Sequence, residues 1–305
     1  MGEVYSALAP VFILIALGWL ARNRRIASPE AFGVVNRFGY FILYPAFLFT
    51  IVTGSDFANR EAGSFVLGVV TGFAALIVLT LALRIFYRAD GPAFTSVFQG
   101  SVRWNGFPLL AAAAALYGPV GEDLIGIVFG PLVFFVNVVS VLVLVRWGAN
   151  RAAGWRAILD QIAANPLILS CGAGLLAQAL GVTHFGPVSE ALRLLGQAAM
   201  PVALITVGAG LDFGALRADA AKVAAATAFK LTVSPVLIWF AATWMGASPL
   251  AAAVAAGIGA TPTAAASYTL AREMGGDARL MAAIITATTI LSFVTLPLAI
   301  SLALP

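Results

Sequence analysis

Two cations sit in this chain where almost everything around them is apolar. Arg103 lies midway along an apolar run near 92–117, and Lys230 midway along another near 218–244. If such runs cross a bilayer, placing either charge at the centre costs roughly 2.5–3.5 kcal/mol on insertion scales. None of the thirteen acidic residues falls near the centre of an apolar run. The compensating negative charge must then come from backbone carbonyls or from outside, as a bound carboxylate or phosphate. The chemistry this suggests is capture of an anion rather than bond-making. An intramembrane enzyme would need a nucleophile or a metal constellation. The single histidine, His184, falls in a loop, no membrane aspartate pair exists and no zinc spacing appears. The one cysteine, Cys171, lies in an apolar stretch and reads as a small packing residue. No cofactor is expected.

Arg103 stands two residues before Asn105 and five before Pro108, in Arg103-Trp104-Asn105-Gly106-Phe107-Pro108. A similar interruption comes later, as Gly257-Ile258-Gly259-Ala260-Thr261-Pro262-Thr263. A mid-helix proline removes a donor and clashes with the preceding turn. Glycine loosens the backbone, and Asn or Thr can hydrogen-bond the groups set free. Such unwinding survives at membrane depth only where it is buried in protein or lines a wet cavity. The helix N-termini beyond the breaks would offer N–H groups and positive dipole ends to an anion. The expected ligand contacts are therefore Arg103, Asn105, Lys230, Thr261, Thr263 and Asn137, with Gly106, Pro108, Gly259 and Pro262 shaping the breaks. Ser140, Thr286, Thr288, Thr289 and Ser292 are weaker cavity candidates, because membrane hydroxyls usually bond their own backbone or neighbouring helices. Asp56 and Asp212 are expected to terminate helices.

The elements that must position these residues follow from composition. Of 305 residues, 61% are hydrophobic and 10% charged, and the mean hydropathy is +0.99. Apolar blocks of roughly 20 residues match a ~30 Å hydrocarbon core, and their continuity excludes a barrel's alternating strands. An all-α membrane protein is expected, with segments near 4–21, 34–53, 62–87, 92–117, 122–145, 165–181, 190–211, 218–244, 248–272 and 278–302. Arg22, Arg24 and Arg25 follow the first apolar run, the reverse of a cleavable signal, so that helix is read as retained. With the N-terminus outside, thirteen of the seventeen basic residues fall in inner loops, among them Arg22, Arg37, Arg84, Arg146, Arg217 and Arg272. Only Arg60 and Arg193 fall in outer ones. That bias sets the orientation, with both termini extracytoplasmic. It also accounts for the pI of about 9.6 without a nucleic-acid partner.

The chain also repeats itself. Pro10 and Gly18 match Pro166 and Gly174 at an offset of 156, and Pro45 matches Pro201 at the same offset. Asp56-Phe57 matches Asp212-Phe213, and Pro108 matches Pro262 at an offset of 154. An odd number of helices per copy forces the second copy to insert upside down. Residues 1–145 and 165–305 are thus expected as inverted five-helix repeats, joined by a cytoplasmic linker at 146–164. Arg103 and Lys230 have no counterparts at the matching positions, Gly257 and Ala74.

In this order the motifs resemble the auxin efflux carrier family in a compact bacterial form. The resemblance rests on Leu8-Ala9-Pro10-Val11-Phe12, Tyr44-Pro45-Ala46-Phe47-Leu48-Phe49, the Arg103–Leu109 stretch, Pro201-Val202-Ala203-Leu204 with Gly208-Ala209-Gly210-Leu211, and Thr261-Pro262-Thr263-Ala264. It covers nearly the whole chain. The resemblance implies ten helices, with helices one, two, six and seven as a scaffold that often dimerises. The other six form a transport bundle whose broken helices, four and nine, cross. It implies an organic anion as cargo, auxin-like or a carboxylate such as malate or malonate, and a bacterial inner membrane. By position Asn105, Pro108 and Pro262 correspond to the family's crossover residues. Gly259 departs from it, standing where repeat symmetry would put a second Asn. The expected mechanism is alternating access by an elevator-like or rocking bundle, running as export. The rival is a sodium-coupled organic-anion symporter of the bile-acid type. A channel would not explain matched breaks.

Overall fold

The structure, a computed structural model, describes residues 2–55, 60–86, 90–149, 163–217 and 219–304. Asp56, Arg88, Arg151, Arg156 and most of the expected linker lie outside the described residues. Those described form helices and no strand: α1 (Gly2–Asn23), α2 (Pro29–Gly54), α3 (Arg60–Phe86), α4 (Gly91–Val102), α5 (Gly106–Trp147), α6 (Pro166–Ala179), α7 (Pro187–Gly210), α8 (Ala220–Trp244), α9 (Pro249–Ala260), α10 (Ala266–Met274) and α11 (Ala278–Ala303). Local chemistry sets many of the starts. Ser28, Asn165 and Ser248 each accept a hydrogen bond from a first-turn N–H, and a proline follows each of them at the first helical position. There its missing donor costs nothing. Asp277 caps α11 by accepting from Leu280 N at 2.9 Å.

Among the described residues seven stretches are long and apolar enough to cross a bilayer, and α6 and α9 are shorter apolar helices. One of the seven, Gly91–Trp147, has 57 residues. As one straight helix it would run about 85 Å, nearly three times the hydrocarbon thickness. It is divided instead, first between α4 and α5, then at Gly118. The sequence places a loop at 118–121. The structure turns the chain at Gly118 alone (φ 59°, ψ −145°), with helix on both sides. That backbone geometry is open essentially only to glycine.

Large apolar side chains point outward, among them Trp244 at 75% exposure and Val78 at 64%. Such a surface suits lipid rather than water. Phe65, Phe73, Phe94, Phe98 and Leu76 fill the interior between α3, α4 and their neighbours. Helices approach closely where glycine permits. A Cβ on Gly18 would lie 1.9 Å from the Ile205 carbonyl oxygen, and one on Gly208 1.8 Å from that of Ile15. The pairing of α1 with α7 therefore requires both glycines, as small-residue packing in membranes does generally.

Candidate functional site

The first break separates α4 from α5. Arg103 is extended (φ −70°, ψ 144°), and so is Asn105 (φ −104°, ψ 106°). The Asn105 side-chain oxygen accepts from Phe107 N at 3.3 Å and starts α5. Pro108 is the third residue of α5. The helix thus breaks three to five residues before the proline marked in the sequence. The cause is the asparagine cap, and Pro108 sits in a first turn where its lost N–H has no partner to miss.

The second break runs from Thr261 to Ala265, between α9 and α10, and Pro262 lies within it. The last turn of α9 would leave its carbonyls unpaired. Gly257 O accepts from Thr261 N at 3.1 Å, Ile258 O from Thr261 Oγ1 at 2.8 Å, and Gly259 O from Lys230 Nζ at 3.0 Å. The breaks also bind one another. Asn105 N donates to Pro262 O at 2.9 Å, and Thr263 Oγ1 donates to Gly100 O at 2.6 Å. Thr263 N donates to Thr288 Oγ1 at 3.2 Å.

Against the first break lies a pocket of about 110 Å³, walled by Tyr40, Tyr44 and Phe47 of α2, Phe107, Phe129 and Asn137 of α5, and Thr206 of α7. Arg103 is its only charged lining residue among the described residues. The pocket shares Tyr40, Arg103, Asn137 and Thr206 with a vestibule of about 730 Å³ whose lining includes Arg22, Arg37 and Arg272 besides Glu30, Asp212 and Glu273. Arg103 is 5% exposed, and its Nη1 is buried without a hydrogen-bond partner. A guanidinium N–H left unpartnered beside a largely apolar pocket favours an anion, whose charge-assisted bond would repay part of the desolvation. Asn137 donates its amide to Val133 O at 2.8 Å and presents the rest of its side chain at the same walls.

The expected contacts therefore divide. Arg103, Asn105, Gly106 and Asn137 line the inner pocket. Lys230, Thr261 and Thr263 line neither pocket nor vestibule. All three are fully buried, and each donates to a backbone carbonyl at or beside the breaks. Gly259 has a steric reason for departing from repeat symmetry. A Cβ there would stand 2.5 Å from Pro235 Cα, so α8 leaves no room for an Asn. Among the weaker candidates, Ser140, Thr286, Thr288 and Ser292 each donate to a carbonyl of their own helix. Asp212 follows α7 and accepts from Gly214 N and Ala215 N, as a terminating residue should.

Sequence reasoning missed Asn36, Tyr40, Tyr44 and Thr206. The first three are spaced by four residues, with Leu48 one more step along, and all four line the pocket. That periodicity marks one helix face and was readable. The π-bulge Gly39–Leu43 that carries Tyr40 was not; such bulges recur at functional sites.

Comparison with known proteins fits this geometry. The family described as "Membrane transport protein" matches residues 157–300. A "Putative malonate transporter" of Rhizobium meliloti (strain 1021) is 27% identical, over 97% of this chain and 94% of the relative. An "Uncharacterized transporter" of Methanothermobacter thermautotrophicus is 23% identical, over 98% of this chain and 97% of the relative.

Proposed function

We propose that this chain is a carrier of the membrane transport protein family, whose model it matches over residues 157–300, and that its cargo is a small organic anion held at Arg103. The observation that carries the reading is the unpartnered Arg103 Nη1 beside a pocket with no other charge on its wall among the described residues. Size agrees. A volume of about 110 Å³ has room for several water-sized groups, the scale of a short mono- or dicarboxylate. Malonate is the first candidate, because the relative from Rhizobium meliloti carries that name.

Alternating access is supported by the pattern of packing. α1 lies on α7, and α2 on α6, the pairings exchanged by an inverted repeat of ten crossings. In that scheme α1, α2, α6 and α7 form the scaffold, through which two copies could associate, and the rest form the moving bundle with its breaks crossing at Asn105 and Pro262. The vestibule opens beside Arg22, Arg37 and Arg272. By the inward bias of Lys and Arg that side is cytoplasmic, and the state is inward-open. Anions entering from the cytoplasm pass a rim of balanced charge, three arginines and three carboxylates, before they reach Arg103. An inside-negative potential then favours their export by roughly 2.3 kcal/mol per charge per 100 mV.

Counterflow of radiolabelled malonate in proteoliposomes tests this. Purified protein should accumulate label against unlabelled internal malonate, and short carboxylates should compete. Absence of counterflow with any mono- or dicarboxylate would contradict the anion reading.

A further inference from the structure

The second break holds a charge that the cavity does not use. Lys230 lies in the π-bulge Phe229–Val233 of α8 and is fully buried. Its Nζ donates to Gly259 O at 3.0 Å and stands 5.9 Å from the centre of the Phe73 ring. The ion pairs among the described residues, Arg193–Glu190 and Lys222–Asp219, do not involve it. A buried ammonium without a carboxylate is costly, and a carbonyl and a ring face are modest compensation for three donors. What the position offers is the negative end of an interrupted helix. α9 stops at Ala260 inside the protein, and Gly259 O belongs to its last turn. The corresponding turn of α4 receives only a neutral hydroxyl, from Thr263 to Gly100 O.

A buried hydroxyl lies on the neighbouring turn of α8. Ser234, one turn along from Lys230, is fully buried with its Oγ unpartnered. Its backbone packs on Gly259, since a Cβ built there would lie 2.8 Å from Ser234 C. A buried helix-end carbonyl is the kind of oxygen donor a hard monovalent cation takes.

We propose that Lys230 is a resident cation: its ammonium occupies, from within the chain, a monovalent-cation position at the C-terminal end of α9, so the second break is held without a bound alkali ion. The consequence is a carrier indifferent to sodium. Lys230 is a positioning residue, acting on the anion only through the geometry of the breaks. The inference rests on the transport reading for its flux consequence alone.

The test replaces the tethered cation with a free one. Lys230→Ala removes the equivalent of a propylammonium ion. In purified protein the variant should melt below wild type. n-Propylammonium should raise its Tm saturably, n-propanol should not, and neither should move wild type. Sodium should likewise raise the variant's Tm relative to choline and leave wild type unchanged. A folded variant that neither cation restores overturns the proposal. So does a wild-type protein whose Tm or malonate flux rises in sodium over choline. If the alanine variant does not fold, that wild-type comparison decides: indifference to sodium supports the proposal and dependence on it overturns it. Should no carboxylate move in either salt while the melting results hold, the anion reading fails and the assignment of Lys230 stands.

Discussion

At the first break the chain turns Arg103 into the cavity with one guanidinium nitrogen unpartnered. At the second it turns Lys230 away from the cavity and onto the carbonyl of Gly259. Both breaks interrupt an apolar helix, each meets a buried cation, Arg103 within the first and Lys230 reaching the end of α9 from α8, and they are joined by the hydrogen bond from Asn105 N to Pro262 O. They differ in where the charge is spent. Arginine suits the cavity, since its planar fork of donors matches a carboxylate and stays charged when buried. Lysine suits the helix end, since a compact ammonium can sit on one carbonyl. Two interruptions of the backbone thus coexist with a division of labour between the side chains.

Substitutions can break or sharpen this contrast. The largest effect is expected from Arg103→Met. Malonate flux in proteoliposomes should fall at least ~100-fold, a transition-state loss of about 3 kcal/mol. The melting temperature should hold or rise, since the change removes a buried charge lacking full compensation. A clear drop in Tm would show that Arg103, like Lys230, is structural. Gly259→Asn comes next. It restores the residue that repeat symmetry calls for, but forces a Cβ to 2.5 Å from Pro235 Cα. Overpacking of this kind costs about 1–3 kcal/mol, visible as a lower Tm; an unchanged Tm would mean that α8 yields easily. The smallest effect is assigned to Thr263→Val, which deletes the hydroxyl bond to Gly100 O. A loss of about 1 kcal/mol is expected, with malonate affinity within about threefold of wild type by titration.

The contrast also explains what the sequence could and could not tell. Lengths and hydropathy revealed the helices, and the paired Pro108 and Pro262 located both interruptions to within a few residues. The misplacement at Pro108 arose because proline in a first turn begins a helix instead of breaking one. Arg103 was recognisable as a cavity residue through its neighbour Asn105. Lys230 was conspicuous for its charge, yet its target is a carbonyl contributed 29 positions later, and no local pattern encodes that. The backbone bonds of Thr261 and Thr263 were hidden for the same reason: a hydroxyl beside a break can face a ligand or pair with freed backbone, and only the packing decides. The aromatic wall of Tyr40 and Tyr44 was legible as a four-residue spacing, although the π-bulge beneath it was not.

The central claim is that the anion binds at Arg103 and not at Lys230. Calorimetric titration of malonate into wild type, Arg103→Met and Lys230→Met, each shown folded by its melting transition, tests it most directly. The account predicts binding to wild type, binding within about threefold of wild type in the lysine variant, and at least ~100-fold weaker binding, about 3 kcal/mol, in the arginine variant. Equal affinity of wild type and Arg103→Met would contradict it.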